Sequence, residues 1–148
     1  MQLATAERRT PSGTQTGEVT ISIGGIHGSA QPTVVRTLLG SCIAVCLWDP
    51  TTRIGGMNHF LLPDGTSGDP RFGVHAMDRL IGVLMRLGAR REHFVAKVFG
   101  GAHVLPDASP SVPEGNIAFV RTFLAEDGLR ILTQDVGGTS PRIVRFHT

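Results

Sequence analysis

At 148 residues, with 41% hydrophobic and 18% charged residues, the chain carries enough apolar material for one domain with its own core and too much for a disordered chain. Fourteen Lys and Arg against 12 Asp and Glu leave a net charge of +2, which excludes the strongly basic surface of a nucleic-acid binder. No run of about 18 apolar residues is present to span a membrane as a helix.

Residues 1–17 are polar, rich in Thr, Ser and Gly and without the apolar centre of a secretory signal; they read as a flexible leader before a single domain over 18–148. Val19, Ile21 and Ile23 alternate with Thr20 and Ser22 and predict a first strand. Gly24, Gly25, His27, Gly28 and Ser29 read as a turn. Thr33 to Leu39 and Ile43 to Trp48 predict two strands, with a sharp bend at Gly40, Ser41 and Cys42. Asp49 to Arg53 make a hairpin-like turn, and Ile54 to Leu62 return as a strand in which Gly55 and Gly56 mark a bulge or a close backbone approach. Pro63 to Phe72 read as a loop. Met77, Leu80, Ile81, Leu84 and Leu87 then recur at helical spacing and predict a helix from about Val74 to Leu87, stopped by Gly88. Phe94 to Phe99 predict a strand ending at Gly100 and Gly101, and the proline-rich stretch from His103 to Pro113 a loop. A second helix is expected from about Asn116 to Glu126, then strands over Leu129 to Thr133 and Arg142 to His147. About seven strands and two helices give an α+β class: a layered β-sheet system with two main helices packed on it.

Two cysteines four residues apart on one strand lie roughly 13 Å apart, too far for a disulfide, which points to a reducing compartment, most simply the cytoplasm. Cys42 heads a strand after a Gly-Ser bend, where backbone amides can converge on an oxyanion. His59 follows 17 residues later in an otherwise apolar strand. A thiol beside an imidazole is the minimal kit for thiol catalysis, because the imidazole takes the proton and the thiolate attacks. The bland alternatives are a small core cysteine and a buried histidine with a backbone partner. Cys46, in mid-strand, reads as core. The other histidines, His27, His75, His93, His103 and His147, remain open as partners of Cys42. A zinc site built from Cys42, Cys46, His59 and His75 is a rival constellation, disfavoured because two cysteines four apart on a strand do not make the tight knuckle zinc uses. The glycine pairs lack the context of a nucleotide-binding loop and read as turns, with Lys97 and Arg142 beside them as candidate anion contacts or solvated charges.

Taken together, the segments TLLGSCIAVCLWD, GGMNHFLLP, RFGVHAMDRLI, GARREHFVAKVFGGA and DVGGTSPRIVRF resemble CheD, the chemotaxis family of chemoreceptor glutamine deamidases, in order from Thr37 to Phe146. The resemblance implies a layered fold shared with toxin glutamine deamidases, and hydrolysis of receptor glutamine amides to glutamates with release of ammonia. It places the nucleophile on Cys42 and the histidine on His59. A threonine shortly before the cysteine completes the family's site; Thr37, five residues ahead, is the candidate here, and some members carry it six ahead, where this chain has Arg36. No metal or organic cofactor is implied. The expected partner is the cytoplasmic domain of a chemoreceptor, and the family's binding to CheC-type phosphatases adds a second. That binding also supplies the rival function, a regulatory binding module with little catalysis. The chain departs from the family at Val112 to Asn116, where an I-G-x-x-N segment is common, and ends at Thr148, where many members continue.

Overall fold

The computed structural model describes residues 17–61, 73–105 and 111–148. Nearly all of the expected leader, the Pro63 to Phe72 loop and the middle of the proline-rich loop lie outside them.

Eight strands, two helices and a short 3-10 turn (Arg91–His93) follow one another in these residues: β1 (Gly17–Thr20), β2 (Ile26–Ser29), β3 (Thr33–Leu39), β4 (Ile43–Asp49), β5 (Ile54–Asn58), α1 (Gly73–Arg86), β6 (Val95–Gly100), α2 (Ser111–Glu126), β7 (Arg130–Val136) and β8 (Arg142–His147). They form a three-stranded sheet, β1-β3-β8, and a five-stranded sheet, β2-β5-β4-β6-β7. Pairing is antiparallel except for β1 with β3 and β6 with β7. This is the expected α+β class in three layers: helices, large sheet, small sheet.

The side-chain pattern of β4 explains the layering. Ile43, Val45 and Leu47 face the helices and join Phe60, Met77, Leu80, Leu84, Val120 and Leu124 in one core. Ala44 and Cys46 alternate to the other face and join Val35, Leu39, Met57, Phe99 and Val144 between the sheets. β4 is therefore buried on both faces, which is why its sequence reads as a continuous apolar run.

Two expectations need correction. The predicted turn at Gly24 to Ser29 contains strand β2, paired with β5 so that Gly28 lies opposite Gly56. A Cβ on Gly56 would lie 2.5 Å from the His27 carbonyl oxygen, and one on Gly28 would lie 2.7 Å from Leu84 Cδ2. Glycine here lets strand and helix approach, and its low β-propensity hides the strand. The close approach foreseen at Gly55-Gly56 is real, and β5 keeps a regular register through both residues. Second, α2 starts at Ser111 rather than near Asn116. Pro113 sits in the first turn, where a missing N–H costs no helical bond. The expected bend at Gly40–Cys42 carries the chain from the small sheet to the large one.

Buried polar side chains tie the connections down. Asp49 accepts from the backbone N–H groups of Thr51, Thr52 and Arg90. Burial alone would raise its pKa, but these donors outweigh burial and bring it down to about 2. Asn58 accepts from Val45 N–H at 2.9 Å and donates to the Ala76 carbonyl at 3.2 Å, which fixes α1 against the sheet.

Candidate active site

The β4–β5 ladder opens at one place. Cys46 lies opposite Met57, and Ile43 lies opposite Phe60 beyond the named strands, so the register is the same on both sides of the opening. Between these pairs the Asn58 side chain takes the Val45 N–H, and the His59 backbone turns away to residues 24 and 25: Gly24 N–H donates to His59 O at 2.8 Å and His59 N–H to Gly25 O at 3.1 Å. That register puts His59 on the same face as Ala44 and diagonal to Cys42, at a Cα separation of about 7–8 Å, within reach of an imidazole. Both residues point between the sheets. His59 is buried, and Cys42 is half-buried against the inter-sheet core.

Thr37, on the inner face of β3, reaches His59 from the other sheet: its Oγ1 lies 2.8 Å from His59 Nδ1 and donates to the Ile21 carbonyl at 2.7 Å. A hydroxyl has one proton, and the carbonyl takes it. Thr37 therefore accepts from Nδ1–H, which leaves the basic lone pair of the imidazole on Nε2. Nε2 has no hydrogen-bond partner among the described residues. Burial pushes the imidazole pKa down to about 4, so it is neutral at pH 7. Burial also raises the Cys42 thiol, only partly offset by the Ser41 hydroxyl. The resting pair is thus an uncharged thiol beside an uncharged base, not the preformed ion pair of the simplest thiol mechanism.

The Cys42 turn is tied down through its carbonyls. Gly40 O accepts from Ala102 N–H at 3.0 Å, Ser41 O from Asn116 Nδ2 at 2.9 Å, and Cys42 O from Gly101 N–H at 2.9 Å. The N–H groups of Ser41 and Cys42 have no acceptor among the described residues. A strand head with carbonyls anchored and amides open can hold an oxyanion. Gly100 is required beside it: at φ 114°, a Cβ would lie 2.1 Å from the Cys42 carbonyl oxygen. Arg142, expected as an anion contact or a solvated charge, is spent inside the fold. It donates to Gly137 O at 2.7 Å and Gly100 O at 3.4 Å and pairs with Asp135.

The other predicted groups are elsewhere. His27 lies in β2 opposite Met57, His75 is exposed on α1, His93 lies beside Asp49, His103 pairs with Glu114, and His147 is exposed on β8. Cys46 is sealed in the inter-sheet core, with its pKa driven up by burial. His75 lies across the large sheet on a helix, so the four rival zinc ligands do not converge, and no cluster of three metal-ligating side chains occurs among the described residues.

A family profile, CheD chemotactic sensory transduction, matches residues 61–148. A protein from a Caulobacter species named probable chemoreceptor glutamine deamidase CheD is 48% identical over 135 residues, covering 87% of this chain and 71% of the relative. The chain belongs to the CheD family. A Cereibacter sphaeroides CheD with the same name is 41% identical over 140 residues, covering 92% of this chain and 70% of its own length. The profile match begins after His59, so it does not rest on the Cys42 and His59 pair. Among solved structures, Bacillus licheniformis hypothetical protein YfiH shares the fold, with a TM-score of 0.50 and 11% identity over 74% of this chain and 49% of that one.

Sequence reasoning missed the supports of this candidate site: the Ile21 carbonyl, the Ala102 amide, Asn116 and Arg142. A backbone carbonyl or amide leaves no mark in sequence. Asn116 left a faint one, as a polar residue at the expected start of the second helix.

Proposed function

We propose that the chain hydrolyses particular glutamine side-chain amides of chemoreceptor cytoplasmic domains to glutamates, with Cys42 as nucleophile, His59 as base and acid, and Thr37 as the residue that orients His59. The relay from Ile21 O through Thr37 to His59 carries this reading, because it leaves Nε2 as the proton acceptor on the face of Cys42. As the thiol attacks the carboxamide carbon, Nε2 takes its proton, and the amides of Ser41 and Cys42 receive the oxyanion. The imidazolium gives that proton to the departing nitrogen, ammonia leaves, and a thioester to Cys42 remains. His59 then takes a proton from water, hydroxide adds to the thioester, and the thiol is expelled with glutamate as product. The work takes place in the cytoplasm in this reading, where the receptor domain lies.

The test is incubation with a receptor cytoplasmic fragment, reading ammonia release and a mass gain of about 1 Da per glutamine. Conversion by the native chain and none by Cys42→Ala is expected. Equal conversion by both would rule out the nucleophile. No conversion by the folded native chain with its cognate receptor would favour the regulatory binding module.

A further inference from the structure

The small sheet has an inner face that meets the large sheet and an outer face that the described residues leave uncovered. Strand register sets the rows of that outer face. Leu38 lies opposite Ile143, and Arg36 lies opposite Arg145 in the next row. Leu38 is 59% exposed and Ile143 50% exposed, an apolar cross-strand pair turned to solvent. Two arginines directly opposite each other repel and weaken the pairing they sit on. Within the described residues Arg145 has only Glu18, at 3.6 Å with both side chains largely in water, and Arg36 has no ion-pair partner. A surface pair of that kind offsets little of the repulsion. An apolar pair beside an unneutralised pair of arginines is complementary to an amphipathic element with carboxylates beside its apolar stripe. The patch shares its strand with the site: Thr37, between Arg36 and Leu38, points to the inner face and holds His59, and Gly40 of the Cys42 turn follows Leu38 by two residues.

We propose that this outer face, through Arg36, Arg145, Leu38 and Ile143, docks an acidic amphipathic helix of the chemoreceptor cytoplasmic domain and so presents the neighbouring glutamine to Cys42. The inference rests on the deamidase reading and adds the surface that selects the substrate. Carboxylates on the helix neutralise the arginine pair, and its apolar stripe covers Leu38 and Ile143. Binding is then salt-dependent, because the charges meet near the surface.

The experiment measures binding of a receptor cytoplasmic fragment to the full chain carrying Cys42→Ala, with and without Arg36→Glu plus Arg145→Glu, across a salt series. Leu38→Ser plus Ile143→Ser is the second variant pair, and thermal melting of each variant reports its fold. The charge reversals are expected to weaken binding about 30-fold or more and to flatten its salt dependence. The serine pair is expected to weaken binding about 10-fold with the salt dependence kept. Unchanged binding in folded variants overturns the docking face, and if the native chain still converts receptor glutamine the deamidase reading stands. Weakened binding by a chain that converts none keeps the face and overturns that reading. A dimer in sedimentation that the reversals dissolve, with receptor binding intact, assigns the face to a second copy and overturns the proposal.

Discussion

Cys46 and Cys42 face the same inter-sheet core, one from the middle of β4 and one from the residue just before it. Cys46 is closed in by Met57, Phe99 and the small sheet, and burial drives its thiol far from ionisation. Cys42 has the same facing, but its turn amides are unpaired within the described residues and an imidazole stands diagonally across an open ladder. Chemistry at the strand head comes from what the backbone leaves undone there. The ladder gives up one backbone pair to the Asn58 side chain, and the His59 backbone finds its partners at Gly24 and Gly25 instead.

Substitutions at the two cysteines separate their roles. Cys42→Ser is expected to lower turnover at least about 1,000-fold with stability nearly unchanged. Cys46→Ala is expected to leave turnover within a few-fold and to cost about 1 kcal/mol, read by denaturant melts. Alkylation of the folded chain should label Cys42 and reach Cys46 only on unfolding.

Thr37→Val keeps shape and removes the acceptor that holds Nδ1–H. It leaves the Ile21 carbonyl without its donor and frees the imidazole tautomer, so turnover is expected to fall about 10- to 100-fold, more in the catalytic rate than in substrate affinity. Native rates in the Thr37→Val chain would remove the relay from the account.

Gly100→Ala tests the support behind the turn. The new methyl meets the Cys42 carbonyl oxygen at a φ of 114°, so a loss of about 2 kcal/mol or more is expected. Turnover by the molecules that remain folded should fall as well, whereas Gly128→Ala, also at positive φ but with nothing within 4 Å of the new Cβ, should cost stability alone.

A further prediction concerns pH dependence. The His59 pKa is lowered from 6.5 to about 4 in the folded chain, so the unfolded chain takes up that proton first. Stability from this group is full above pH 6.5 and is lost as pH falls toward 4. His59→Gln should flatten that slope in melts taken across the window, and the acid limb of turnover should lie near pH 4 rather than 6.5.

Much of the fold was legible because apolar periodicity reports burial: β3, β4, β6, β8 and α1 lie within a residue or two of their predicted spans. β2 was hidden because its pairing depends on glycines that admit a helix, and a propensity reading counts glycine against a strand. The start of α2 was hidden by Pro113, which breaks a helix interior but suits a first turn. For the site, the residue types at 42, 59 and 37 were legible, but their geometry was not. Whether Thr37 faces His59 depends on two sheets meeting, and whether amides stay unpaired depends on what the carbonyls find, with partners up to 75 residues away in sequence, as between Ser41 and Asn116.

In the proposed mechanism the strand head holds a neutral base with its lone pair on Nε2. Nitrogen-15 resonances of His59 in the native chain, followed from neutral to acid pH, test it directly. A proton on Nδ1, none on Nε2 at pH 7, and a midpoint near 4 are predicted. A proton on Nε2, or a midpoint near the ordinary histidine value, would contradict the account.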